Sequence, residues 1–130
     1  MINVVLDSDI VIDFTRQASP FFREILDLAN NKKIALFIPS IVVIELMSGQ
    51  ETKSSNKLKI LEDLIKPAQF VACDYSLSKQ AGFIVRDSRG LVQSGDAIVA
   101  ATALSLNAKL ATRNKKHFQG VTGLKFYSPR

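Results

Sequence analysis

The sequence predicts an α/β fold, a three-layer α/β/α sandwich with a mainly parallel central sheet between layers of helix. Two observations carry this expectation. Short β-branched or apolar runs alternate along the chain with segments of helical periodicity. Those runs are continuous rather than alternating, as in Val4–Leu6 within the run Ile2–Leu6 and throughout Ile34–Ile38, which suits strands buried on both faces and therefore a parallel sheet. At 130 residues the chain has the length of one ordinary domain, so residues 1–130 are expected to share a single core.

Ile2–Leu6 reads as the first strand. Asp7-Ser8-Asp9 interrupts the apolar pattern, and Ile10–Phe14 resumes it as a helix. Ser19-Pro20 is an N-cap with proline at the first helical position, opening a helix to about Asn30 in which Phe22, Ile25, Leu26 and Ala29 recur at helical spacing. Ile34–Ile38 is the second strand, and Ser40 is placed to cap a helix ending near Ser48-Gly49. A Lys-rich stretch leads into a helix over Leu58–Ile65, closed by Pro67, and Phe70–Cys73 is a third strand. Ser76 is a candidate cap for a helix reaching Arg89-Gly90. Asp96 stands at the start of a helix over Ala97–Leu106, whose alanines permit close packing. Leu110-Ala111 is a short strand, Asn114–Phe118 a helical turn and Leu124–Tyr127 a final strand. In such sheets ligands bind at the carboxyl ends of the strands.

An apolar fraction of 47% with only 6 Gly and 4 Pro fits a packed chain rather than a disordered one. No apolar run approaches the roughly 18–20 residues that cross a bilayer. The opening MINVVLD has neither a basic start nor a cleavable apolar stretch, so a cytoplasmic protein is expected. Cys73 is the only cysteine, which excludes an intramolecular disulfide and a Cys-based zinc site; within FVAC it is expected to be a buried thiol. The net charge is +5. Basic residues gather at Lys53, Lys57, Lys59 and Lys66, and again at Lys109, Arg113, Lys115 and Lys116. Either they serve solubility or they provide a field that attracts phosphates.

Of the 12 acidic residues, Glu24, Asp27, Glu51, Glu62, Asp63 and Asp87 lie in mixed polar segments and read as surface. Three others do not. Asp7 directly follows an apolar strand, Glu45 is the only polar residue between Ile41 and Met47, and Asp96 opens a helix with no further charge before Lys109. An ionised carboxylate buried without compensation costs several kcal/mol, so a basic partner or a cation is expected near it. Each residue has a plainer reading. Asp96 could serve the helix dipole, Asp7 could cap the next helix, and Glu45 could pair with any of 17 basic residues. Taken together, carboxylates converging at strand ends repel one another, and a hard divalent cation with oxygen ligands relieves that repulsion. With one His and one Cys the chain is poorly equipped for zinc. A cation of this kind suits phosphodiester cleavage.

LDSDIVID, IVVIELMSG, GDAIVAATAL and LATRNKKHF resemble, in order and over nearly the whole chain, the successive motifs of PIN-domain nucleases. The chain's size and the segment around Asp96 most resemble the toxins of VapBC toxin–antitoxin pairs. The resemblance implies an endoribonuclease dependent on Mg²⁺ or Mn²⁺, with Asp7, Glu45 and Asp96 holding the metal and activating water. The family's fourth acidic position falls on Asn114, which adds no charge and places a second tightly bound metal in question. Asp9 stands where the family often has Ser or Asn; it either orients a metal-bound water or hydrogen-bonds to nearby backbone N–H groups. Thr112 is expected to position Asp7 or the metal's surroundings through its hydroxyl. Arg113, Lys115 and Lys116 are the candidate RNA-binding residues, and His117 either touches RNA or is simply exposed. The resemblance further implies a homodimer and a VapB-like antitoxin inserting a segment beside the acids, with the helices between Pro20 and Leu46 as the expected surface. Two rivals stand beside this reading. Asp7-x-Asp9 after a strand also resembles the nucleophile motif of haloacid-dehalogenase-type phosphotransfer enzymes, and a PIN-like scaffold could bind RNA or protein without cutting.

Overall fold

Five short strands, β1 (Ile2–Leu6), β2 (Ile34–Pro39), β3 (Gln69–Val71), β4 (Lys109–Ala111) and β5 (Lys125–Phe126), form one sheet in the order β3-β2-β1-β4-β5. Every neighbouring pair is parallel, with Val4 opposite Leu36 on one side of β1 and Leu6 opposite Ala111 on the other. The computed structural model describes residues 1–17 and 19–128. Parallel strands need crossover connections, and among the described residues six helices flank the sheet: α1 (Ser8–Gln17), α2 (Pro20–Asn30), α3 (Ser40–Met47), α4 (Ser55–Ile65), α5 (Tyr75–Asp87) and α6 (Ser94–Ser105).

Successive strand residues point to opposite faces. Val4, Val5 and Leu6 are nevertheless all fully buried, as are Leu110 and Ala111, so both faces of the sheet centre are covered. This is the physical content of the continuous apolar runs. α6 lies against β1, β2 and β4, and its buried Ala97, Ala100, Ala101 and Ala103 allow that close approach. α2 turns Phe22 and Ile25 into the core, and Phe22 meets Phe14 of α1 edge to face at 5.5 Å. A second, smaller cluster of Leu77, Ala81, Val92, Ala97 and Ala101 joins α5 to α6.

The chain runs outward from β1 through β2 to β3, then returns to the other side of β1 as β4 and β5. That reversal makes the gap between the carboxyl ends of β1 and β4 a topological switch point, where α/β sheets open a crevice.

Several boundaries differ from expectation. β1 ends at Leu6 and Asp7 leaves the sheet, but α1 begins already at Ser8 rather than Ile10 and runs on to Gln17, because short polar residues suit the first turn of a helix. Ser40 does not cap α3 but is its first helical residue, after Pro39 and without a side-chain cap. α4 begins earlier than Leu58, at Ser55, capped by Ser54 through the Lys57 N–H. The stretch before it holds a 3₁₀ turn over Gln50–Lys53. Asp74, not Ser76, caps α5, accepting from the Leu77 N–H at 2.9 Å. The third and fifth strands are shorter than read, at Gln69–Val71 and Lys125–Phe126. Cys73 is only half-buried, its Sγ 3.3 Å from the Ser78 hydroxyl.

Truncating the fully buried Phe22 to alanine is expected to cost about 3–5 kcal/mol, read as a lower urea midpoint. Ile44→Ala, at a side chain 61% exposed, is expected to shift stability by no more than about 0.5 kcal/mol.

Candidate active site

Asp7 is the residue at which the chain leaves the sheet. Its backbone N–H donates to the Ala111 carbonyl at 3.0 Å, continuing the β1–β4 ladder by one rung. Thr112, the residue after β4, donates its hydroxyl to Asp7 Oδ2 at 2.8 Å, and the Ser8 N–H donates to Asp7 Oδ1 at 2.9 Å. Both carboxylate oxygens are thus held, and the residue is only 7% exposed.

Asp9 sits in the first turn of α1. Its Oδ2 accepts from the Asn114 side-chain amide at 2.9 Å, the Arg113 N–H at 3.1 Å and the Thr112 hydroxyl at 3.2 Å. The Asn114 N–H in turn donates to the Thr112 oxygen at 3.1 Å. Four residues later, on the same face of α1, Asp13 pairs with Arg113 Nε at 2.8 Å. The loop after β4 is therefore tied to α1 at two successive turns.

Glu45 departs from expectation. Val42 and Leu46, four residues apart, occupy the core-facing stripe of α3, which leaves Glu45 on the solvent side of the site rather than turned inward. The Ser8 hydroxyl donates to its Oε1 at 3.1 Å. Asp96 lies in the first turn of α6 with 29% of its side chain exposed, and Asp96 Oδ2 is 3.7 Å from His117 Nδ1. His117, 60% exposed, is both solvent-facing and adjacent to an acid.

These carboxyls hold their protons more tightly than ordinary ones. Burial pushes Asp7 up, opposed by the hydrogen bonds from Thr112 and Ser8 and by the charge of His117. Burial, then the charges of Asp7 and Asp13, push Asp9 up to about 6 against the bonds from Arg113 and Thr112. Glu45 is raised by partial burial and then by Asp7 and Asp96, with Ser8 acting against. Asp96 is raised by burial and by Asp7, while His117 lowers it. Among the described residues no Lys or Arg pairs with any of the four.

The donor set suits a hard divalent cation: every candidate ligand is a carboxylate oxygen, and Asp9 Oδ1 is buried with no hydrogen-bond partner. Among the described residues no three His, Cys, Asp or Glu side chains converge tightly enough to enclose an ion by themselves. A cation here would keep much of its water shell, as Mg²⁺ does when one or two carboxylates bind it.

The structure thus joins Asp7, Asp9, Thr112 and Asn114 by direct hydrogen bonds, Glu45 through Ser8, and Asp96 through shared electrostatics. Ser8 and Asp13 were not singled out from sequence. Reading α1 from Ser8 would have put Asp13 one turn below Asp9. Of the basic candidates, Arg113 is engaged by Asp13, Lys115 Nζ lies 5.5 Å above the Phe126 ring, and Lys116 is exposed. Beside Glu45 opens an apolar groove of about 780 Å³ between α1, α3 and α4, lined by residues including Val11, Phe14, Leu46, Ile60 and Leu64. Of the helices between Pro20 and Leu46, α3 contributes Glu45 and Leu46 to this groove and α2 contributes no lining residue.

Residues 4–124 match the family model of the PIN domain. A search of curated protein sequences gives no significant match. Among solved structures, the chain is similar to the DNA-bound VapBC of Salmonella typhimurium (TM-score 0.81, 23% identity, 98% of each chain covered). It is also similar to VapBC2 of Rickettsia felis bound to a promoter DNA fragment (0.77, 20%, 99% of this chain and 100% of that one). A toxin–antitoxin complex from Klebsiella pneumoniae follows at 0.73 and 20%, with 98% of each chain covered. At these identities the likeness is one of fold.

The raised acids give stability a pH dependence of definite sign. Asp9 releases its proton near 3.8 when unfolded and near 6 when folded. Between those values the folded state binds more protons, so the metal-free protein loses stability as pH rises through the window. Asp9→Asn is expected to raise the metal-free Tm at pH 7, by the equivalent of about 1–2 kcal/mol after allowance for solvent screening. The difference should close below pH 4. Thermal melts at several pH values provide the measurement.

Proposed function

This chain belongs to the PIN-domain family, and from that premise we propose that it is the endoribonuclease toxin of a VapBC-type pair, dependent on Mg²⁺ or Mn²⁺ and held inactive by a VapB-like antitoxin. The observation that carries the proposal is the buried carboxylate of Asp7 at the β1–β4 switch point, accompanied by Glu45 and Asp96 with no Lys or Arg among the described residues paired to them. Asp7, Asp96 and Glu45 would hold the cation. When bound, it supplies charge neutralisation at the phosphate and an activated water for hydrolysis.

The chain's own residues prepare the site. Thr112 and the Ser8 N–H fix the Asp7 carboxylate. The Ser8 hydroxyl aims Glu45, and His117 sits against Asp96. Arg113, Lys115 and Lys116 surround the same edge with positive charge and would attract the phosphates of RNA. The PIN match over 4–124 favours nuclease chemistry over the phosphotransfer reading of Asp7-x-Asp9.

The groove between α1, α3 and α4 supports the antitoxin part of the proposal. It is largely apolar and Glu45 is among its lining residues, so a bound amphipathic segment would lie beside that acid. The structures similar in fold include complexes described as toxin with antitoxin. The homodimer and cytoplasmic location belong to the same proposal. No described helix is long and apolar enough to cross a membrane.

Asp7→Asn and Asp96→Asn are each expected to lower RNA cleavage by at least about 100-fold with an unchanged circular dichroism spectrum. EDTA should abolish cleavage by the parent and Mn²⁺ should restore it. Full activity in either variant, or in EDTA, contradicts the assignment. Ser8→Ala removes only the hydroxyl that aims Glu45, and is expected to cost about 10-fold in kcat.

A further inference from the structure

We infer that Asp9, rather than Asn114, supplies this site's additional donor toward a divalent cation, and that Asn114 is the positioning residue that holds Asp9. The inference rests on the metal-dependent reading above and concerns which side chain carries the extra charge.

Three observations support it. The two oxygens of Asp9 are used unequally: Oδ2 accepts from Asn114, Arg113 and Thr112, whereas Oδ1 is buried with no partner among the described residues. A buried carboxylate oxygen without a donor carries an uncompensated desolvation penalty, which a bound cation would remove. Second, the amide of Asn114 is already committed. A carboxylate only accepts, so the Asn114 NH₂ must face Asp9 Oδ2, and the 2.9 Å contact uses that side chain as a donor. Third, the Thr112 hydroxyl reaches both Asp7 Oδ2, at 2.8 Å, and Asp9 Oδ2, at 3.2 Å. One hydroxyl thus ties Asp9 to the carboxylate proposed as the principal ligand. Its single proton is shared between the two oxygens, and the two carboxylates repel one another.

The alternative is that Asp9 only braces α1 against the loop after β4, with a proton satisfying Oδ1. The two roles separate in Mn²⁺ binding by the full-length chain, measured by calorimetry alongside melting temperatures with and without Mn²⁺. If Asp9 is a ligand, Asp9→Asn weakens Mn²⁺ binding by about 10-fold or more, while its metal-free Tm is equal to or above the parent's. Asn114→Ala weakens binding less, by loosening Asp9. The exchange Asp9→Asn/Asn114→Asp remakes the same hydrogen bond with its charge at the other end, and should recover most of the lost affinity. Parent-like Mn²⁺ affinity in Asp9→Asn, with Asp7→Asn defective, overturns the inference and leaves the proposed function standing. A lowered metal-free Tm in Asp9→Asn with no recovery in the exchanged variant also overturns it, in favour of bracing. If the parent itself binds no Mn²⁺, the metal-dependent reading fails and this inference falls with it.

Discussion

Mutual repulsion among carboxylates at the carboxyl ends of β1 and β4 is the constraint around which the rest of the site is arranged. Burial first, and then the charge of Asp7, raises the proton affinity of Asp9, Glu45 and Asp96, and Asp96 adds to the rise at Glu45. No Lys or Arg among the described residues offsets them, although the chain carries an excess of +5. The guanidinium of Arg113 is directed to Asp13 instead. A fold keeps such an arrangement only if its framework is stable enough to bear it, which is the usual condition of a functional site.

That framework is traceable to the sequence. Consecutive apolar residues in β1 bury both faces of the sheet and fix where Asp7 emerges. The Asp7 N–H then pairs with Ala111, so the first acid is placed by the backbone ladder rather than by its own side chain. Small residues along α6 let that helix lie against β1 and β4, which brings Asp96 to the same edge. Phe14 and Phe22 lock α1 to α2 and thereby hold Asp9 against the loop carrying Thr112 and Asn114.

The elements were legible wherever the signal was local. Alternating runs and helical segments were enough for the layer arrangement, and Asp7 could be placed because it follows an apolar strand directly, whereas Thr112 was singled out through the resemblance to PIN-domain motifs. Glu45 was misjudged because an isolated polar residue in an apolar helix reads as buried, whereas the Val42–Leu46 stripe leaves it facing solvent. The start of α1 was missed because Asp-Ser-Asp resembles a turn as much as a first helical turn. Partners brought together from far apart in the chain left no local trace. Ser8 with Glu45, Asp13 with Arg113 and Asn114 with Asp9 are products of the β1–β4 pairing and of where α1 and α3 leave the sheet.

Placing unneutralised acids at the switch point has a thermodynamic consequence that links structure to function. A carboxyl that holds its proton because it is buried, and then because its neighbours are negative, must release it when it or its neighbours bind a cation. Calorimetric titration of Mn²⁺ into the protein, in two buffers of different ionisation enthalpy, counts those protons directly. The account predicts net proton release at pH 6, where Asp9 is about half protonated, with the number falling toward zero at pH 8. Binding without proton release at pH 6, or no binding at either pH, would contradict it.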